Sequence, residues 1–341
     1  MTQYDVAVLG AGPAGAIAAA LLARAGHSVV FVDPDPRQGD RIGETLPAFA
    51  ADLLERHALP GPLSSDAHLP IRGVVSDWGG MRTQDDALMR PGGPDWRLDR
   101  GLFDASLRAA ATDAGASSVI AKVNAVTRKP DGWCIATDAG VCLRARRVVD
   151  ATGRRGILSR SLGGARRQQS RQVAIWAVGD PVGTKIAATS RTLIQDGVDG
   201  WWYGAILPSR RPVAAFHTTT GQATQMRRDP AEWHRSLAKA AVLAEHLPTA
   251  LLSGAELKFT DATGEACTKA AGDGWVACGD AAIAFDPLAS QGLLNAVRTG
   301  IAAADVAAGR VTPAQYCAEM DRVWDHYVRH HASLMARRAL A

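Results

Sequence analysis

Two textures of apolar residues alternate along this chain. One is the short unbroken apolar run of a strand buried on both faces, and the other is the broken alternation of strands with one covered face. The first kind opens the chain as Val6-Ala7-Val8-Leu9. Gly10-Ala11-Gly12-Pro13-Ala14-Gly15 follows, then an Ala/Leu-rich stretch at 14–25, Gly26, and a second run at 28–32 closing on Asp33. This pattern predicts strand, tight turn, helix and strand. Gly10 permits the turn, Gly12 lets a pyrophosphate approach the backbone, and Gly15 lets the helix pack close to the strand. Pro13 suits the first helical turn, where its missing N–H costs nothing. The free amides and dipole of that helix form an anion site. An acid placed as Asp33 is can accept hydrogen bonds from ribose hydroxyls. A dinucleotide is the expected ligand.

Beyond Asp33, a polar, proline-rich loop at 34–40 leads to Arg41-Ile42-Gly43-Glu44-Thr45-Leu46 and a helical pattern at about 47–57. Residues 60–98 have the second texture: short alternating segments at 71–77 and 96–98, cut by Gly79-Gly80 and Pro91-Gly92-Gly93-Pro94. They read as strands of a separate sheet. A helix is expected from about 98 to 114, then strands at 119–128, 133–137 and 142–149, the last running into Asp150-Ala151-Thr152-Gly153. Between about 165 and 265 strands return at 171–178, 201–207 and 213–218, with a helical pair near 231–252. A last buried strand runs from Gly274 to Asp280, and helices at about 291–308 and from about Pro313 finish the chain. The expected organisation is interleaved. Segments 1–60, 98–163 and 270–341 make the dinucleotide domain, and 61–97 with 164–269 make the second, mainly β domain.

Composition narrows the class rather than choosing it. The 341 residues are 47% hydrophobic and 21% charged, ordinary for a soluble protein with a substantial core. The net charge of +4 is small and the arginine pairs are scattered, which argues against nucleic acid as a partner. No apolar run reaches the length of a membrane span. The five cysteines include no C-x-x-C or metal-ligand spacing, which fits reduced thiols and a cytoplasmic location. No metal is expected: His326, His330 and His331 have helical spacing but no further ligand, and read as a solvated helix. Nine tryptophans against six phenylalanines are the oddity, fitting a core rich in aromatics or a site that stacks planar rings.

A second signature lies near the C-terminus: Cys278-Gly279-Asp280-Ala281-Ala282, then Asp286-Pro287-Leu288-Ala289-Ser290-Gln291-Gly292-Leu293. With Arg41-Ile42-Gly43-Glu44-Thr45 and Arg100-x-x-Phe103-Asp104, it resembles the FAD-dependent aromatic hydroxylase and halogenase superfamily across nearly the whole chain. The resemblance implies an α/β fold, a Rossmann-like FAD-binding domain with an interleaved, mainly β substrate domain. It implies that Asp280 meets the flavin's ribityl chain, with Gly279 and Pro287 beside it. Gln291, Gly292 and Leu293 would face the pyrimidine end of the ring, and Arg41 and Arg100 would lie along the diphosphate and ribose. Asp150-Ala151-Thr152-Gly153-Arg154 resembles the family's second Asp–Gly segment, which places Ala151 and Gly153 near the cofactor. Asp280 could otherwise cap the segment 281–285. With no second G-x-G-x-x-G, electrons would come from NAD(P)H visiting transiently or from a separate flavin reductase.

The same resemblance implies oxygen transfer from dioxygen, through a flavin hydroperoxide, to an electron-rich aromatic ring. Halogenases of this fold add a lysine after the Gly-Glu-Ser/Thr motif, a Trp-x-Trp-x-Ile-Pro segment and a Ser-Thr pair. Here no lysine precedes Lys122, the aromatic segment is Gly200-Trp201-Trp202-Tyr203-Gly204-Ala205-Ile206-Leu207-Pro208, and Ser290-Gln291 stands in place of Ser-Thr. The sequence looks most like the flavoproteins that mature tryptophylquinone-containing amine oxidases and dehydrogenases by oxidising a tryptophan of a partner polypeptide. A small aromatic metabolite, halogenation, and a reductase or dehydrogenase acting on C–C double bonds remain alternatives. Candidate catalytic residues are Glu44, Trp202, Tyr203 and His217. Glu44 is either a proton acceptor or the partner of Arg41. Alternation sends Trp201 and Tyr203 to one face of their strand and Trp202 to the other. His217 lines the cavity or sits in the core.

Overall fold

The computed structural model describes residues 3–34, 39–90, 92–183 and 190–339; positions 35–38 of the expected loop and Pro91 lie outside them. The opening apolar runs form the centre of an eight-stranded sheet. Its parallel strands stand in the order Trp275–Ala277, Cys142–Asp150, Gln3–Leu9, Val29–Asp33, Ser117–Ile120. Val6–Leu9 are fully buried between neighbours on both sides, which is why their apolar run is unbroken. Strands Val123–Lys129 and Gly132–Thr137 form an antiparallel meander leading into Cys142–Asp150. Helix Pro13–Arg24 packs between helices Gly292–Ala307 and Arg100–Asp113. Gly300 makes the first of these contacts possible, because a Cβ there would lie 2.6 Å from the Ala14 carbonyl oxygen.

The second sheet has seven strands in the order Lys258–Asp261, Val173–Val178, Pro212–Thr218, Gly200–Ile206, Arg191–Gly197, Gly73–Trp78, Met81–Gln84. All neighbours are antiparallel except Arg191–Gly197 with Gly73–Trp78. One face carries a helix layer whose core includes Trp202, Phe216, Met226, Trp233, Leu237 and Leu243. The other face presents Ala174, Trp176, Ala205 and Ala215 with Tyr203. The expected helical pair is Pro230–Ala238 and Ala241–His246. A further helix, Thr220–Arg228, precedes it; only Ala223 and Met226 are buried, so it carries almost no apolar periodicity.

The C-terminal helix, Pro313–Ala339, buries a stripe of Tyr316, Met320, Trp324, Tyr327 and His331 at three- and four-residue intervals. His331 is therefore not part of a solvated face, whereas His326 and His330 are exposed as expected. No helix among the described residues is long and apolar enough to cross a membrane, and no cluster of three or more His, Cys, Asp or Glu among them could hold a metal ion.

Candidate active site

Loops from the first sheet and the bare face of the second enclose a cavity of about 350 Å³. Two helices begin at its wall. Pro13–Arg24 is preceded by Gly12 and Gly292–Ala307 by Gln291, and neither N-terminus has a side-chain cap, so their first amides are open to a ligand. At Gly12 a Cβ would meet nothing within 4 Å, which leaves free space over the turn. Gly10 adopts φ +95°, and a Cβ there would collide with the Ala151 carbonyl, so this glycine seats the Ala151–Gly153 segment against the turn. An open glycine turn beside two uncapped helix starts fits an anionic dinucleotide.

The expected cofactor residues divide into wall and support. Gly12, Pro13, Ala14, Gly15, Gly43, Glu44, Arg100, Ala151, Gly153, Gly279, Asp280, Pro287, Gly292 and Leu293 all line the cavity. Gly10, Asp33, Arg41 and Gln291 do not. Asp33 Oδ2 accepts the Ala11 amide and so braces the glycine turn. Arg41 is held by Asp104 at 2.6 Å, and the same buried carboxylate takes both the Nε and an amino nitrogen of Arg100 at 3.1 Å. Arg100 also donates to the Gly43 carbonyl at 2.7 Å, which ties segment 41–44 to the Arg100–Asp113 helix. Asp280 sits in a single 3₁₀ turn with no capping role. Its side chain opens on the cavity, 42% exposed, with Arg154 Nε 3.9 Å from the carboxylate. The protein mass around it raises its pKa, opposed chiefly by Arg154. Behind the turn, buried Arg166 donates to the carbonyls of Asp280 and Ala281 at 2.8 and 2.7 Å and pairs with Glu265 at 2.8 Å.

At the second sheet, Glu44 pairs not with Arg41 but with Arg97, at 3.3 Å, the two side chains only 1% and 2% exposed. Arg97 also donates to the Tyr203 hydroxyl, to Thr45 Oγ1 at 3.2 Å and to Thr192 Oγ1 at 2.9 Å. The Tyr203 hydroxyl in turn donates to Glu44 Oε1. Burial raises the Tyr203 pKa, and Glu44 adds to the rise while Arg97 opposes it, so the phenol stays protonated. Glu44 Oε2 is buried with no hydrogen-bond partner among the described residues.

Trp201 and His217 are opposite each other on paired strands, their rings stacked at 3.8 Å and 8° on the cavity wall. Burial pushes the imidazole down to about 4, against the upward pull of Asp286 and of the Trp201 backbone. Trp202 is corrected: its ring lies in the helix layer against Phe216 and Trp233, away from the cavity, because a strand's side chains alternate between faces. Trp201 takes its place on the wall. Arg97, Asp104 and Arg166 are the functional supports that sequence reasoning passed over. A charged residue inside a two-residue strand such as Trp96–Arg97 carries no periodic signal, and only the Phe103-Asp104 motif hinted at the second of them.

A glycine turn feeding a β-roofed cavity with free helix amides is the arrangement of FAD-dependent oxidoreductases, and the chain is an enzyme of that class. Residues 3–41 match the FAD binding domain model. More narrowly, the chain belongs to the tryptophan halogenase family, whose model matches residues 74–328. Among similar proteins, LodB of Marinomonas mediterranea, named as an FAD-dependent oxidoreductase, is 27% identical over 96% of this chain and 91% of its own. Menaquinone reductase of Mycobacterium tuberculosis is 30% identical over 89% of this chain and 76% of its own. The solved structure of QhpG, a peptidyl tryptophan dihydroxylase essential for tryptophylquinone cofactor biogenesis, shares the fold. Its TM-score is 0.81 at 24% identity, over 99% of this chain and 76% of that one.

Proposed function

We propose that the protein is an FAD-dependent monooxygenase that hydroxylates an electron-rich aromatic ring of indole or phenol type, including a tryptophan side chain of a partner polypeptide. The Trp201–His217 aromatic pair on the cavity wall carries this reading, since aromatic side chains pack against a planar guest without charged contacts. Bound and reduced FAD supplies activated dioxygen for the transfer. The chain's own residues hold and enclose. The Gly12 turn and the helix start at Pro13 would take the diphosphate, with Arg100 and Arg154 offsetting its charge. Asp280 would meet the ribityl hydroxyls, and the amides at Gly292 and Leu293 would favour negative charge on the reduced ring. Glu44, Arg97 and Tyr203 bond to one another and would fix the join between the Gly43-Glu44-Thr45 segment and the roof. Electrons would arrive from NAD(P)H or a separate reductase. QhpG, by its name a peptidyl tryptophan dihydroxylase, supports the polypeptide substrate.

Halogenation is the second reading, favoured by the family match. The missing N-terminal lysine, the altered aromatic segment and Ser290-Gln291 weigh against it. The test is mass spectrometry of indole, phenol and tryptophan-containing peptides after aerobic turnover with a flavin-reducing system and bromide present. Gain of an oxygen atom, labelled when the dioxygen is labelled, supports hydroxylation. Gain of bromine supports the second reading, and gain of two hydrogens on an isoprenoid C–C double bond of an added prenylated quinone, with every aromatic substrate unchanged, points to a reductase.

A further inference from the structure

The C-terminal helix touches both cofactor-facing segments that the C-terminal signature supplies. Tyr316 donates its hydroxyl to the Ala277 carbonyl at 2.8 Å, at the end of the strand Trp275–Ala277 that leads into Gly279-Asp280. Eleven residues on, the Tyr327 hydroxyl accepts the Asp286 amide at 3.2 Å, and its ring packs on Phe285 at 4.9 Å. One turn further lies His331, the only polar member of a stripe otherwise aromatic or apolar. It is 7% exposed, and its Nε2 stands 3.6 Å from Oδ2 of Asp286, which is fully buried. Neither atom has a hydrogen-bond partner among the described residues. Asp286 Oδ1 is already committed to the Leu288 amide at 2.8 Å, the bond that starts the 3₁₀ turn Pro287–Ala289 ahead of Gly292.

Two buried polar atoms left unsatisfied a short step from contact are unfavourable unless the contact closes. We propose that His331 is a positioning residue: with the cofactor seated, its Nε2–H donates to Asp286 Oδ2. The C-terminal helix thereby fixes the loop from Asp286 to Leu293 and aims the amides at the start of the Gly292–Ala307 helix into the cavity. His331 touches neither cofactor nor substrate and acts through Asp286. The inference rests on the FAD-holding part of the reading above, not on the choice of substrate.

The test uses the full chain and FAD titrations followed by flavin fluorescence, with His331→Gln and His331→Asn. A glutamine amide reaches the Nε2 position, whereas an asparagine amide reaches only the Nδ1 position. The expected result is at least a tenfold weaker FAD Kd for H331N and a Kd within threefold of the parent for H331Q. Trp324→Phe, on the same stripe, should lower thermal stability while leaving the FAD Kd within threefold. The inference is overturned if H331N binds FAD like the parent, if H331Q is as impaired as H331N, or if W324F loses as much affinity. Failure of the unaltered chain to bind FAD would instead sink the reading of the cofactor site, and would appear before any variant was made.

Discussion

Replacing Arg97 by methionine would remove the cation beneath the roof of the cavity while keeping much of its volume. Glu44 would then hold a carboxylate 1% exposed, with one oxygen already unpartnered and the other left only to the Tyr203 hydroxyl. Breaking one side of a buried ion pair costs about 3–5 kcal/mol, because the remaining charge loses both water and its partner. Tyr203, Thr45 and Thr192 lose a donor in the same step. The expected loss is therefore about 4 kcal/mol, or roughly 6 °C in melting midpoint for a chain of this size. Glu44→Gln in the same background removes the stranded charge and should recover all but about 1–2 kcal/mol, the sign of a coupled pair. Urea unfolding followed by tryptophan fluorescence and by far-UV circular dichroism gives both numbers and tests for intermediates. A loss below about 1 kcal/mol for R97M would refute the reasoning. So would a double variant as unstable as the two singles summed.

Three further outcomes follow from the geometry. His217 has a pKa near 4 in the fold and an ordinary value of 6.5 when unfolded, so the unfolded chain binds more protons between these values. Stability is full above pH 6.5 and falls as pH drops toward 4, by about 3 kcal/mol for this group, and His217→Gln should flatten that part of the pH–stability curve. Gly12→Val should leave the flavin-free protein folded, since its Cβ meets nothing within 4 Å, yet abolish FAD retention by occupying the diphosphate's space; a yellow, fully loaded G12V would count against the turn. Trp202→Phe should cost about 1–3 kcal/mol of stability with substrate affinity unchanged, whereas Trp201→Phe should weaken binding of aromatic ligands. Binding isotherms on the two variants separate the faces.

Much of this molecule is local and therefore legible in the chain. Val6–Leu9 could be read as a doubly buried strand, and the Gly10–Gly15 turn as a dinucleotide site, because their chemistry depends only on neighbours in sequence. The alternation of Trp201, Trp202 and Tyr203 showed that they divide between two faces but not which face meets the cavity. That needed the helix layer, including Thr220–Arg228, whose polar sequence gives no sign of what it covers.

The partners of charged groups belong to the tertiary structure for the same reason. Glu44 and Arg41 are three residues apart, yet Glu44 pairs with Arg97 and Arg41 with Asp104, from strands and helices brought together by packing. His331 looks like a surface histidine beside His330 until the helix is docked and its stripe is seen to turn inward. The sequence by itself determined the opening strands and the glycine turn, set by residues within a few positions of each other, and the cofactor class, marked by motifs spread along the chain. Which side chains share a buried charge, and which aromatic ring walls the cavity, was decided only when distant segments packed, because burial and ion pairing are properties of the assembled interior.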